Sequence, residues 1–234
     1  LGLSGPADLT DATARWIIAQ LAVLQSPRDV VIAAALSDAR ASEWQWLNWL
    51  PHVTNAGSPL DGPGIAVGAP ASSELLRQAA RLAAERREES AGRARGRRHT
   101  TLVLLVDDEV APQRAVVDEL LADCADIDII AIWIARDRRD LPGGCGALVD
   151  LKTGRAVCSV TWTQSGRTID DASVDGLPID VADGIPRGLA PVVAVTSGGA
   201  SDLPRFVSLP RLLDLVEPEP EAIVRRWERR GNDL

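Results

Sequence analysis

Apolar runs alternate with helically spaced apolar positions along the first 135 residues of the chain. Near-continuous apolar runs are typical of strands buried on both faces of a sheet, and they occupy residues 28–36, 101–108 and 127–135, with a shorter run at 64–68. Apolar residues three and four positions apart predict helices at residues 9–25, 72–90 and 114–124. Because helices commonly connect parallel strands, we predict an α/β fold with a mostly parallel sheet flanked by helices.

Two helix starts carry polar residues that can act as caps. The stretch Gly-Leu-Ser-Gly-Pro at residues 2–6 is predicted to be a strand end and a glycine turn, and Thr10 or Asp11 can cap the helix that follows. Ser72 or Ser73 can cap the second long helix. The strand, turn and helix around residues 2–6 have the layout of a phosphate-binding loop.

The pattern changes after Gly143. Residues on both sides of a turn at 152–154 alternate between apolar and polar, which predicts an antiparallel hairpin that extends the edge of the sheet. We expect one domain over residues 1–216, with a mobile loop at about 86–98. Residues 217–234, an acidic proline break and a charged helix, are predicted to connect to a following domain.

Composition narrows the range of functions. The net charge of −8 and pI near 4.9 disfavour nucleic acid as a partner, because binding to a polyanion needs a basic surface. The apolar runs are too short to cross a bilayer. Three cysteines without a CxxC pair indicate reduced thiols in a cytoplasm. Since the chain contains no methionine, we expect an internal segment of a longer protein.

The strand at 101–108 ends in acidic residues, as in P-loop NTPases. Asp107 and Asp108 could bind Mg²⁺, and the turn containing Gly2, Ser4 and Gly5 could bind the phosphates of ATP through its amides. However, Pro6 removes one amide, and no lysine follows the turn, so we predict a degenerate site that does not hydrolyse ATP. The alternative interpretation is that the acidic residues only end a strand and cap the next helix.

The same acidic stretch also permits a second interpretation. It resembles the opening of a response-regulator receiver domain, in which Asp150 would be the phosphorylated residue and residues 191–199 the strand carrying the hydroxyl residue. A receiver needs a lysine on its last core strand, and no lysine follows Lys152. We therefore keep this interpretation as the weaker alternative.

Tryptophans dominate a short predicted helix at residues 41–51, which Pro51 ends. Trp44, Trp46 and Trp49 cover more than one face of this helix, and most buried tryptophans belong to a core. Exposed tryptophans are frequent in protein interfaces, so Trp46 and Trp49 are the candidate interface residues.

Several motifs together carry a resemblance to one family along almost the whole chain. They are GLSGP, AQLAVLQSPRDV, EWQWLNWLPH, LPGGCGALVDL, GLAPV and VSLPRLLDLV followed by a terminal RW. In this order they resemble the membrane-proximal ATPase-like domain of EccC, the FtsK/SpoIIIE-type motor of actinobacterial type VII (ESX) secretion systems.

The resemblance implies a RecA-like P-loop NTPase-type fold placed between a membrane stalk and three FtsK-type ATPase domains. It implies a hexamer in the full assembly, ATP-driven protein export at the cytoplasmic face of the inner membrane, and contact with the ubiquitin-like domain of EccD. The expected role is coupling the stalk to the active ATPases. The alternatives are a nucleotide-binding or active ATPase domain and a DNA-translocating relative, which the acidic charge disfavours.

Overall fold

The computed structural model describes residues 1–54, 57–92, 99–110, 114–122, 124–154 and 157–189, together with residues 220 and 224. The chain divides into two compact units, Leu1–Ala194 and Val195–Leu234. Nearly all of the second unit lies outside the described residues, which include only Pro220 and Val224 there, both helical. The fold described below is that of the first unit.

Strands and helices alternate as the apolar pattern predicts. The strands are β1 (Gly2–Ser4), β2 (Val30–Leu36), β3 (Ile65–Val67), β4 (Thr101–Asp107), β5 (Ile129–Ala135), β6 (Ala147–Leu151), β7 (Val157–Trp162) and β8 (Thr168–Ser173). The α-helices are α1 (Ala7–Leu24), α2 (Ala69–Gly92), α3 (Arg114–Leu121) and α4 (Ile179–Leu189). A 3₁₀ helix over Ala41–Trp49, here called the tryptophan helix, and three shorter ones, Asp108–Val110, Cys124–Ile127 and Arg138–Asp140, complete the described elements.

The eight described strands form one sheet in the order β3-β2-β4-β5-β1-β6-β7-β8. All neighbouring pairs from β3 to β6 are parallel, whereas β6 pairs with β7, and β7 with β8, in antiparallel fashion. Strand β5 is inserted between β1 and β4, so the strand before the glycine turn and the acidic strand are not direct neighbours. The predicted α/β fold with an antiparallel extension is confirmed.

Apolar clusters cover both faces of the sheet. One face packs against α2 and α3, and the other packs against α1, α4 and the tryptophan helix. All seven residues of β2 are buried, and all of β4 after its first residue are buried. Burial on both faces explains why these strands consist of continuous apolar runs.

The two predicted helix caps are wrong. Helix α1 begins at Ala7 directly after Pro6, so Thr10 and Asp11 lie inside the helix, and the Thr10 hydroxyl donates to the Ala7 carbonyl at 3.0 Å. Proline suits the start of a helix because the missing amide would have no partner there. Helix α2 begins at Ala69, before Ser72 and Ser73.

The predicted mobile loop at 86–98 is wrong over its first seven residues. Helix α2 continues to Gly92, and Arg86 is 4% exposed. Its guanidinium donates to the carbonyls of Thr100 at 2.9 Å, Ile127 at 3.0 Å and Asp128 at 2.9 Å. Arg86 therefore ties the end of α2 to the starts of β4 and β5, and residues 93–98 lie outside the described residues.

Two further predictions concern parts that the structure does not describe. The strand proposed at 191–199 and most of the connector at 217–234 lie outside the described residues. Within the described residues, none of the helices combines the length and the apolar character needed to cross a bilayer.

Candidate functional site

The predicted nucleotide-site residues meet at one edge of the sheet. Because β1, β4 and β5 are parallel, their carboxyl ends lie together, and this edge is where open α/β sheets bind ligands. The turn after β1 and the acidic residues after β4 both lie there. The structure thus brings the two halves of the predicted site to the same edge, separated by the end of β5.

The glycine turn is too short to surround a phosphate. Strand β1 ends at Ser4 and α1 begins at Ala7, so only Gly5 and Pro6 connect them. A phosphate-binding loop of the GxxxxGK[ST] type needs a longer run of free amides. Here the Gly5 amide donates to the Ala135 carbonyl at 3.3 Å, and Pro6 has no amide hydrogen.

Gly5 is required by close packing and by its backbone conformation. Its φ of 136° is left-handed, and a Cβ at this position would lie 2.6 Å from the carbonyl oxygen of Leu151. The turn is therefore pressed against the end of β6. This contact gives the glycine a structural explanation that needs no ligand.

Gly2 and Ser4 lie within the sheet. Gly2 is in register with Trp133 of β5 and Leu148 of β6, so the strand is paired on both sides. Ser4 is buried, and its hydroxyl donates to Asp150 Oδ1 at 2.9 Å. The polar group of Ser4 therefore contacts Asp150, the residue that the receiver interpretation singled out.

Asp107 is fully buried and already engaged by protein groups. Its Oδ2 accepts hydrogen bonds from the Ser37 backbone amide at 3.2 Å and from the Ser37 hydroxyl at 2.6 Å. Its Oδ1 lies 3.4 Å from Nε of Arg40. Both oxygens of this carboxylate therefore have partners.

Arg40 joins Asp107 to a second buried carboxylate. Its Nη1 lies 2.6 Å from Oδ1 of Asp11, which also accepts a hydrogen bond from Trp44 Nε1 at 3.2 Å. Burial raises the pKa of Asp11, while the charge of Arg40 and the hydrogen bond of Trp44 act against that rise. We call Asp11, Ser37, Arg40, Trp44 and Asp107 the arginine cluster.

Asp108 has a different environment. Burial, together with the charge of neighbouring Asp107, raises its pKa to about 6. Among the described residues, its buried Oδ1 has no hydrogen-bond partner. Asp108 is therefore the carboxylate at this edge with capacity for a further ligand.

A shallow groove lies beside the glycine turn. It is lined by Gly5, Pro6, Ala7, Leu151, Thr153 and Arg136. The Arg136 guanidinium is largely exposed and lies 3.8 Å from a carboxylate oxygen of Glu109. The chain's one lysine, Lys152, has its Nζ 3.0 Å from Asp171 Oδ1.

A bound Mg²⁺ does not fit Asp107 as this edge is built. The Arg40 guanidinium already supplies a cation to this carboxylate, and Ser37 occupies its other oxygen. Over the described ranges, no group of three or more metal-ligating side chains gathers at one point. Asp108 alone leaves too few protein ligands for a dedicated site, although Mg²⁺ often binds through one or two carboxylates and a nucleotide phosphate.

Sequence reasoning missed four members of the arginine cluster as site residues: Asp11, Ser37, Arg40 and Trp44. A usable signal existed for Ser37, because it directly follows a buried strand, as Asp107 ends another. In the structure, Ala35 pairs with Val106, which places Ser37 beside the end of β4. No sequence spacing indicates that Arg40 turns back towards both carboxylates.

The tryptophan helix divides its aromatic residues between core and surface. Trp44 and Trp46 are buried, with ring centroids 6.1 Å apart and planes inclined by 27°. The prediction that Trp46 is an interface residue is therefore wrong, because α4 and the sheet enclose this region and leave its side chain buried. Trp49 is 66% exposed and remains the interface candidate.

Comparison with known proteins gives a short sequence match. Over 38 residues, or 16% of the chain, it is 50% identical to the ESX-4 secretion system protein EccC4 of Mycobacterium tuberculosis. It has the same identity over 38 residues to the ESX secretion system protein EccC of Thermomonospora curvata. The match spans 3% of the length of each relative. No family model matches the chain.

Solved structures match over most of the fold. About 80% of the chain superposes on 42% of EssC (ATPases 2 and 3) from Geobacillus thermodenitrificans, with 10% identity and a TM-score of 0.52. Likewise, 81% of the chain superposes on 27% of the cytoplasmic domain of the Thermomonospora curvata type VII secretion ATPase EccC, with 15% identity and a TM-score of 0.50. Identities this low establish the shared fold alone. The chain is thus similar in sequence to EccC proteins over 38 residues, and it shares its α/β fold with the EssC and EccC domains of known structure.

Proposed function

We propose that this domain belongs to a type VII secretion motor and couples its membrane stalk to the active ATPase domains without hydrolysing ATP itself. The observation that carries the proposal is the ion pair between Arg40 and Asp107 at the edge where an NTPase would hold Mg²⁺. The domain keeps the layout of an ATPase, but an internal cation takes the place of the metal.

The electrostatics of the arginine cluster support this proposal. A second cation at Asp107 would lie close to the buried Arg40 guanidinium, and repulsion between like charges is strong where water is excluded. Freeing Asp107 would also break its hydrogen bonds with Ser37. Removing one partner of a buried charge pair typically costs about 3–5 kcal/mol, so the cluster resists rearrangement.

The role in the motor is inferred from the EccC-like fold. We propose that the chain acts within a larger protein at the cytoplasmic face of the inner membrane, in a hexameric assembly. Other domains of the same motor and the ubiquitin-like domain of EccD are the proposed partners. A domain with the fold of an ATPase suits such coupling, because it can pack against active domains of the same fold and move with them.

The experiment that tests the absence of a nucleotide site is calorimetric titration of the chain with ATP and Mg²⁺, accompanied by melting curves. We expect no saturable heat and no rise in melting temperature at ATP concentrations of about 1 mM, since binding to the folded state would stabilise it. The same titration is run on Asp108→Asn and Arg136→Ala, which remove the two groups at this edge that could contact a nucleotide. Saturable binding that either variant abolishes would contradict the proposal.

A second candidate function is nucleotide binding without catalysis. The groove beside Gly5 favours it, because the exposed Arg136 could pair with a phosphate there. In that case Arg136→Ala should weaken ATP binding in the presence and in the absence of Mg²⁺. A site that depends on Asp108 should instead require Mg²⁺.

To test the coupling role, Arg40→Met can be placed in the intact motor. If this domain transmits movement, ATP hydrolysis by the other domains should continue while protein export falls, because the variant destabilises this domain and leaves the catalytic sites of the others unchanged. The exposed Arg81→Met is the matched control. Equal loss of hydrolysis and export in the Arg40 variant would argue against a coupling role.

A further inference from the structure

Strand β3 forms one edge of the described sheet, and its outer side faces away from β2. The Ala34 amide donates to the Gly64 carbonyl at 2.8 Å, and the Gly68 amide donates to the Leu36 carbonyl at 2.9 Å. Bonded residues alternate along a parallel strand, so Ala66 also faces β2. The amides and carbonyls of Ile65 and Val67 therefore point outwards, where no described strand pairs with them.

An apolar groove of about 430 Å³ runs beside this edge. Its lining includes Trp44, Trp49, Ile65 and Val67, together with the polar residues Gln45 and Asn48. Trp49 is 66% exposed and Val67 is 40% exposed. Side chains two positions apart in a strand share a face, so Ile65 and Val67 both face the tryptophan helix.

A strand added beside β3 would complete this surface. Its backbone would pair with Ile65 and Val67, and alternate side chains would lie over Val67 and against Trp49. Exposed tryptophan is a frequent anchor of protein interfaces because it buries a large apolar area. Backbone pairing and apolar burial therefore coincide at this edge.

The charges nearby select the kind of peptide. Asp38 is exposed and lies at the carboxyl end of β3, where its Oδ2 would be 3.4 Å from a Cβ at Gly68. Glu43 is exposed on the tryptophan helix but is already paired with Arg15, whose Nη1 lies 3.5 Å from its Oε2, so Asp38 supplies most of the negative charge near this edge. The residues that line the groove include no lysine or arginine. A peptide with basic residues beside its apolar ones would match these charges.

We propose that the edge formed by β3 and Trp49 binds an extended apolar segment of a partner protein that carries lysine or arginine beside its apolar residues. The segment adds to the sheet as a further strand beside β3. This inference goes beyond the coupling role and holds whether or not nucleotide binds. The short length of β3 limits uncontrolled pairing, which is a common protection of edge strands.

The probe is the capped peptide Arg-Val-Thr-Val-Thr-Val-Arg, and its control is the same peptide with every central amide methylated. NMR should show the indole N–H signal of Trp49 shifting on titration. Hydrogen exchange at the amides of Ile65 and Val67 should slow by about tenfold or more, because pairing protects them. The methylated peptide should lose both effects, since it cannot form the strand hydrogen bonds.

Variants separate the two contributions to binding. Trp49→Ser should lower the affinity for the peptide by about tenfold or more, as loss of an interface anchor does. Val67→Pro removes an outward amide and should also weaken binding. Leu24→Ser, at a residue 71% exposed on α1, is the matched control and should leave the affinity for the peptide unchanged. A melting curve of each variant shows that it remains folded.

Three results would overturn the proposal. The first is the absence of binding up to about 1 mM peptide, which would mean a binding free energy weaker than about 4 kcal/mol. The second is equal binding of the methylated peptide or equal binding by the Trp49 variant. The third is a Trp49 signal that shifts with protein concentration alone, which would make a second copy of the chain the occupant.

Discussion

Gly5 lies so close to Leu151 that a Cβ on the glycine would be 2.6 Å from the Leu151 carbonyl oxygen. This contact joins the turn after β1 to the end of β6. We expect Gly5→Ala to destabilise the fold by about 3 kcal/mol, because it adds a steric clash to the strain of a left-handed alanine. Urea unfolding checks the value.

A second glycine separates the clash from the strain. Gly166 also has a left-handed φ of 65°, but nothing lies within 4 Å of a Cβ placed there. Gly166→Ala should therefore cost only about 1 kcal/mol, the conformational part alone. Similar losses at both positions would show that Leu151 does not constrain the turn.

The arginine cluster predicts a large loss of stability when its cation is removed. Arg40→Met leaves two buried carboxylates, Asp107 and Asp11, without their shared partner, and we expect a loss of about 3–5 kcal/mol in chemical denaturation. Arg81→Met, at a 65% exposed side chain, should change the stability by less than about 1 kcal/mol.

A double variant tests whether the charges of the cluster act together. Arg40→Met with Asp107→Asn should cost less than the sum of the two single changes, because each single change leaves an unpaired group. Additive losses would mean that Arg40 and Asp107 contribute independently.

The raised pKa of Asp108 predicts that the stability of the fold decreases as the pH rises towards neutrality. Its pKa is raised from 3.8 to about 6 in the folded state, so the folded protein binds the proton more tightly than the unfolded chain does. The resulting stabilisation is complete below pH 3.8 and is lost as the pH rises through 6. Thermal unfolding between pH 4 and 7 measures it.

Asp108→Asn should remove this dependence. We expect about 1 kcal/mol of added stability at pH 7 after allowing for the partial solvent exposure of the group, and little change near pH 4. Asp61→Asn, at an exposed loop residue, is the matched control. A lower stability of Asp108→Asn at pH 7 would show that the ionised carboxylate makes a favourable contact.

Substitutions of two tryptophans in one short helix should have very unequal effects on stability. Trp46→Ala should cost about 3–5 kcal/mol, because it opens a cavity beside Trp44. Trp49→Ala should change the stability by less than about 0.5 kcal/mol, since most of its surface is in water. Near-ultraviolet circular dichroism should change mainly in the Trp46 variant, where the stacked pair is lost.

The sheet could be predicted because its central strands are buried on both faces and therefore consist of apolar runs. Strand β8 could not, since five of its six residues are exposed, four of the six are polar, and its two apolar residues do not alternate with polar ones. The starts of α1 and α2 were missed because proline and small residues can begin a helix: α1 follows Pro6 without a side-chain cap, and α2 begins at Ala69.

The candidate site was predictable only in part. The position of Asp107 and Asp108 followed from the end of an apolar strand, but the pairing of Asp107 with Arg40 joins residues 67 positions apart and depends on the strand register. Likewise, the spacing of Trp46 and Trp49 gave no reason to bury one and expose the other. That difference arises from packing between distant elements.

Arg86 has a consequence for how the chain can be divided. Its guanidinium holds the carbonyls of Thr100, Ile127 and Asp128, all of which follow residues 93–98 in sequence. A cut placed within 93–98 would therefore separate two pieces that this one side chain still joins, along with the β2–β4 pairing. The domain is thus suited to fragment complementation, in which residues 1–95 and 96–234, expressed as separate polypeptides, reassemble into one fold.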